Sequence, residues 1–346
     1  MKIFGCACGR TVYFENTHCL RCDRTLGFLP DRLELSALEP LSGHCWRALS
    51  KGAEYRQCQN YWQNDACNWM VAHDDPHEYC LACRLNEVIP NLSKPGNRAL
   101  WLRIERRKRR LVYELRSQKL PVFNREVDAE RGLGFAFLED GSGELEFRHS
   151  HQGRHIVTGH ANGLITINIA EADDVERERM RVKMNEQQRT LLGHFRHESG
   201  HYYWDLLVKD GPLLNSVREV FGDERADYSA ALQRYYQHGP PHGWQQHWVS
   251  AYASAHSWED WAECWAHWLQ INDTLETAVA IGLAPADALV QPIDARLNHW
   301  MQLAVHINLL NRSLDQPDPY PFVLTPSVIA KLKLVDEVIG LSGFTP

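Results

Sequence analysis

The sequence predicts an α+β protein in which small cysteine-rich modules precede a mainly helical domain with a small sheet. Three observations carry that expectation. Nine of the ten cysteines lie within the first 83 residues, and only Cys264 stands beyond them. Two alternating apolar segments, residues 134–138 and 164–169, read as strands. From Glu171 onward the pattern is mostly helical, and it contains the run His197-Glu198-Ser199-Gly200-His201.

A chain of 346 residues with 44% hydrophobic content can bury a full core and has room for two or three domains. No apolar run approaches the ~20 residues that span a bilayer. The start, Met1-Lys2-Ile3-Phe4-Gly5-Cys6, lacks the charged-then-apolar layout of a secretory signal. A cytoplasmic protein without a membrane partner is therefore expected. Paired, short-spaced cysteines in a reducing compartment read as metal ligands rather than disulfides. The formal charge of −7 gives no general reason to expect nucleic acid as a partner.

In chain order, residues 1–35 form the first expected module, with knuckles Cys6-Ala7-Cys8 and Cys19-Leu20-Arg21-Cys22. Four thiolates at this spacing suit a closed tetrahedral zinc site, which supplies folding energy to a module too small for its own core. A linker-like stretch runs from Leu33 to Ser42. Residues 36–95 form a second module, with Cys58, Cys67, Cys80 and Cys83 as its ligand set. Only Cys80/Cys83 is a true knuckle, so Cys45, His73 and His77 are alternatives for the first two positions, and one or two structural zinc ions are expected.

Asn91 to Asn97, with Pro95 and Gly96, marks a boundary and a helix start. Residues 96–120 then read as a basic linker helix. Within residues 101–119, eight Lys/Arg against two Glu give +6, with little aromatic interleaving. A solvated face, or one paired with acidic residues, is expected there rather than a nucleic-acid groove. Residues 121–346 form the main domain, with a Pro-rich break at 317–321 and a last amphipathic helix near Val328 to Ile339.

The chemistry concentrates at residues 197–201. One helical turn separates His197 from His201, so two imidazoles can point at one ion. Glu198 beside the first can take a proton from water held by that ion. The run sits in a helical pattern from Glu186 to about Val208, with Leu191, Leu192, Phe195 and Leu206 on the apolar face. Gly200 inside it costs about 1 kcal/mol against Ala, which points to close approach by a neighbour. The strand at 164–169 is expected to be an edge strand able to pair with extended substrate.

A catalytic zinc needs a third protein ligand, and two acidic clusters compete for that role. In residues 257–268, steps of about 100° put Trp258, Trp261, Trp265 and Trp268 on one core face. Glu259, Glu263 and His267 fall opposite, beside Ala262 and Ala266. One carboxylate would bind zinc and the other would accept a hydrogen bond from a ligating imidazole. In residues 222–228, Glu224 and Asp227 are expected to cap or brace a helix, with Arg225 as a candidate partner, rather than to bind metal. Cys264 reads as a buried small hydrophobe.

The pairing of HExxH with a downstream Glu-x-x-x-Glu helix resembles the gluzincin metallopeptidases. The stretch Tyr252 to Ala266 is most similar to the anthrax lethal factor type, in which a tyrosine stands seven residues before the liganding glutamate. Across nearly the whole chain, the stretches Cys67-Asn68-Trp69, Cys83-Arg84-Leu85-Asn86, residues 158–163, Leu192 to Trp204 and Phe221 to Tyr228 resemble the bacterial zinc-binding metallopeptidases with an N-terminal zinc ribbon. The resemblance implies Glu259 as third ligand and Glu263 as the second carboxylate, with the reverse assignment still open. It implies a hydrolase acting on a peptide or protein substrate, with one catalytic zinc beside the structural ones. Tyr252 would donate to the oxyanion of a tetrahedral intermediate, against a plain core role. The rival class is a nucleic-acid- or protein-binding module, acting through the zinc ribbons, whose peptidase-like domain is inactive.

Overall fold

The computed structural model describes residues 2–42, 45–140, 158–183 and 189–342. The chain is α+β, and its contacts divide it into two compact units, residues 1–159 with 163–173, and residues 160–162 with 174–346.

The first unit opens with a hairpin of two-residue strands, β1 (Phe4–Gly5) and β2 (Thr11–Val12). An antiparallel meander follows: β3 (Leu26–Leu29), β4 (Glu34–Pro40), β5 (Cys45–Ala48), β6 (Glu54–Gln57) and, after the short helix α1 (Gln59–Trp62), β7 (Met70–Ala72). The linker expected at Leu33–Ser42 is thus mostly a strand, the longest of the meander. The two ends of the meander meet, because Phe28 bridges Trp69 and its N–H donates to the Asn68 carbonyl at 2.8 Å. Phe14, Phe28, Trp69 and Tyr113 form the aromatic core there, with Phe28 and Trp69 ring centres 4.7 Å apart.

Strands β8 (Asn86–Val88) and β11 (Leu164–Asn168) both pair in parallel with β9 (Gly134–Leu138). With β10 (Gly159–Ala161) the sheet order is β10-β11-β9-β8. β11 is therefore interior, not the edge strand that was expected. Helix α2 (Asn97–Ser117) buries Trp101, Ile104, Leu111, Val112 and Leu115. It also buries two of its cations, which take the paired alternative of the two expected for the basic face. Lys108 pairs with Glu105 at 2.9 Å and bonds Asn86, while Arg109 bonds the Ala66 carbonyl and faces Glu15 at 3.6 Å. A charge is tolerated inside only when paired and hydrogen-bonded in this way.

The second unit is helical: α3 (Asp174–Lys183), α4 (Leu191–Tyr203), α5 (Leu214–Phe221), α6 (Tyr228–His238), α7 (Ser257–Ala280), α8 (Ile293–Ser313) and α9 (Pro326–Leu341). α4 starts where Thr190 accepts from the Gly193 N–H, and one π-helical turn, Trp204–Val208, extends it. The expected start at Glu186 lies outside the described residues. α7 is the hub, packing against α4, α5, α8 and α9. Buried ion pairs tie its sides: Asp260 to Lys331 at 2.6 Å, and Asp273 to Arg196 at 3.2 Å.

Candidate metal centres

Helices α4 and α7 lie close enough that a Cβ on Gly200 would stand 2.9 Å from the Cα of Ala262. Two indoles fix the approach, Trp261 donating to the Gly200 carbonyl at 3.0 Å and Trp265 to the Ser199 hydroxyl at 3.1 Å. This is the close approach that the mid-helix glycine implied. It brings His197 and His201 of α4 against the carboxylates of α7.

Three donor atoms converge. His197 Nε2 and His201 Nε2 are 3.2 Å apart, and Glu259 Oε2 lies 3.0 Å from the first and 3.5 Å from the second. Tetrahedral coordination with bonds of 2.0–2.1 Å to nitrogen and oxygen puts ligand atoms about 3.3 Å apart, and the three edges cluster there. Glu259 Oε2 is buried and receives no hydrogen bond from the described residues. It faces the same point as the two imidazoles, so these residues fit a zinc ion.

The surroundings orient each donor. His197 Nδ1 bonds Glu263 Oε1 at 2.7 Å, and the Ser250 hydroxyl donates to Glu263 Oε2 at 2.5 Å. The Tyr228 hydroxyl donates to the other oxygen of Glu259, also at 2.5 Å. The His201 ring lies against Trp258, centre to centre 3.9 Å. Trp258 is therefore not a core tryptophan like Trp261, Trp265 and Trp268; it is half-buried and walls the site.

The electrostatics favour a cation. Burial lowers the affinity of His197 for a proton, yet Glu259 and Glu263 together raise its pKa well above the ordinary value. Burial opposes ionisation of Glu259 as well, but the two imidazoles hold its pKa well below the carboxylate range. A pocket this anionic stabilises positive charge at its centre.

Glu198 is buried beside His197 and makes no hydrogen bond or ion pair with the described residues. Tyr252 sits in a 3-10 turn, Tyr252–Ser254, with its ring 5.9 Å from that of His197. Burial and the negative Glu259 keep its phenol protonated, available as a donor. The acidic segment before α6 does not reach the donors with a carboxylate. Asp223 pairs with Arg225, Glu224 with Arg218, and Asp227 caps α6 by accepting from the Ala230 N–H. Sequence reasoning placed Glu224 and Asp227 as braces but missed Tyr228 and Ser250; the only sequence signal for Tyr228 was its place at the end of the stretch Phe221–Tyr228.

The cysteines form two quartets, Cys6/Cys8/Cys19/Cys22 and Cys58/Cys67/Cys80/Cys83. The separations Cys6–Cys22, Cys8–Cys19 and Cys67–Cys80 are 3.6, 3.7 and 3.8 Å. Zinc–sulfur bonds of 2.3 Å in a tetrahedron imply edges of about 3.8 Å. Backbone N–H groups of Cys80 and Trp69 point at the sulfurs of Cys58 and Cys67, each at 3.3 Å, as they do toward thiolates. Cys45, His73 and His77 belong to neither quartet. Cys264 is buried, its thiol donating to Asp260 at 3.6 Å.

Comparisons with known proteins agree with this layout. A zinc-ribbon domain model matches residues 3–94, and the model described as "Putative zinc-binding metallo-peptidase" matches residues 97–338. An uncharacterized protein of Mycobacterium bovis is 40% identical over 348 residues, covering 98% of this chain and 95% of its own. Uncharacterized proteins from two strains of Mycobacterium tuberculosis match to the same extent. No solved structure matches significantly. With two quartets of thiols, a convergent His-His-Glu set and a family model spanning most of its length, the chain belongs to this zinc-binding metallo-peptidase family, with a zinc-ribbon domain at its N-terminus.

Proposed function

We propose that the chain is a zinc-dependent peptidase. The observation that carries this reading is the arrangement of three donor atoms at tetrahedral spacing with a buried, uncommitted Glu198 on the same helix turn. Zinc bound by His197, His201 and Glu259 would supply a Lewis acid and a water of lowered pKa. Glu198 takes the water's proton and delivers it to the leaving amine. Glu263 holds the His197 ring by its Nδ1 proton, and Tyr252 donates a hydrogen bond to the developing oxyanion. The two cysteine quartets would each hold one structural zinc ion. A cytoplasmic setting is supported by the ten free cysteines.

A fluorogenic peptide library assayed with and without a chelator tests the reading. Cleavage that chelation abolishes and added zinc restores is expected. Binding of peptides without cleavage, in zinc-replete protein, would instead favour a recognition module with an inactive peptidase domain.

A further inference from the structure

We infer that Tyr228 is a positioning residue of the histidine–glutamate centre, its phenol holding Glu259 to one-oxygen ligation. The inference rests on the zinc reading above and goes beyond the ligand set. Glu259 presents Oε2 to the two imidazoles, at 3.0 and 3.5 Å, while Oε1 takes the Tyr228 hydroxyl at 2.5 Å. A carboxylate with both oxygens free can swing to chelate a metal and occupy the position a water needs. An O–H donor at this distance from an anionic oxygen makes a strong, directional bond, so Oε1 is engaged away from the metal. The fourth position stays open for water.

The chain fixes the phenol with some care. Tyr228 is the first residue of α6, and Asp227 caps that helix through the Ala230 N–H at 3.0 Å. The Ala226 carbonyl bonds His256 Nε2 at 3.1 Å, and His256 in turn caps α7 by accepting from the Trp258 N–H. The Tyr228 ring lies edge-on to both His256 and Trp258, at 5.2 and 5.7 Å. The N-termini of α6 and α7 are thereby pinned together, one carrying the phenol and the other, within its first turn, Glu259. The acidic segment once in competition for the third ligand thus contributes a hydroxyl to that ligand.

Cobalt is the probe, introduced into this centre after brief chelation while zinc remains in the cysteine quartets. The wild-type protein should show the intense visible absorption of a four-coordinate cobalt ion. Tyr228→Phe keeps the ring contacts and deletes only the hydroxyl. Its cobalt spectrum should weaken and shift toward five-coordination, and its zinc affinity at this centre should fall roughly 10–100-fold. Its melting temperature and quartet zinc should be unchanged. A Tyr228→Phe spectrum and affinity matching wild type would overturn the inference while leaving the zinc reading intact. A wild-type protein that takes up no cobalt at His197 and His201 would remove the zinc reading, and the inference with it.

Discussion

The buried cysteine quartet and the histidine–glutamate centre crowd their donor atoms to similar spacings, yet their surroundings differ. Cys58, Cys67, Cys80 and Cys83 are all buried, and backbone N–H groups point at the sulfurs of Cys58 and Cys67. Four thiolates would close the coordination sphere of a zinc ion. The other centre presents three donors, and beside them stand a carboxylate that bonds none of the described residues and a protonated phenol. A closed sphere can only hold structure together. A sphere with one side left to the protein's own acid and base groups can do chemistry.

The largest effect expected from this contrast is on folding. Cys80→Ser should lose one zinc ion and the cooperative melting of the first unit, because structural zinc supplies on the order of 10 kcal/mol of folding free energy. Cys45→Ser, outside both quartets, is the control and should keep both. Zinc content and circular dichroism of the two variants decide, and a Cys80→Ser protein that melts like wild type would remove the structural role.

Next comes chemistry without folding. Glu198→Gln should keep its metal and its melting temperature while turnover falls by roughly 10²–10⁴-fold, the usual worth of a general base. Undiminished turnover in that variant would end the proposed mechanism.

The two carboxylates of α7 sharpen the contrast further. Glu259→Ala should empty the centre of metal. Glu263→Ala should keep it, at a cost of roughly 10–100-fold in affinity. The reverse pattern, read by elemental analysis, would exchange their roles.

The smallest effect expected is mechanical. Gly200→Ala places a methyl 2.9 Å from the Ala262 Cα, so α4 and α7 must part. We expect destabilisation of about 1–3 kcal/mol and a weakened hold on zinc. A stabilised variant would mean that the helices have slack at this point.

The centre was partly legible in the sequence because its main donors are near neighbours along two helices. One turn relates His197 to His201 and another relates Glu259 to Glu263, and helical periodicity exposes both pairs. Tyr228 and Ser250 were not legible, since each meets its carboxylate through a chain path of 31 or 13 residues that no local pattern encodes. β4 hid for a different reason. Leu35, Ser36, Ala37 and Leu38 are all buried, so no polar–apolar alternation marks the strand. Which cations of the basic run lie inside was not legible either: Lys108 and Arg109 are set apart from their neighbours only by Glu105, Asn86 and the Ala66 carbonyl within reach. Trp258 follows the angular pattern of its fellow tryptophans but lies in the first turn of α7, where the helix emerges beside His201.

The bridge between Phe28 and Trp69 bears on solubility. A five-stranded meander left open would offer unpaired N–H and C=O groups along β3 and β7, a template for strand addition by another molecule. Drawing those outer strands together, with the Phe28 N–H given to Asn68, shields part of both edges from intermolecular pairing.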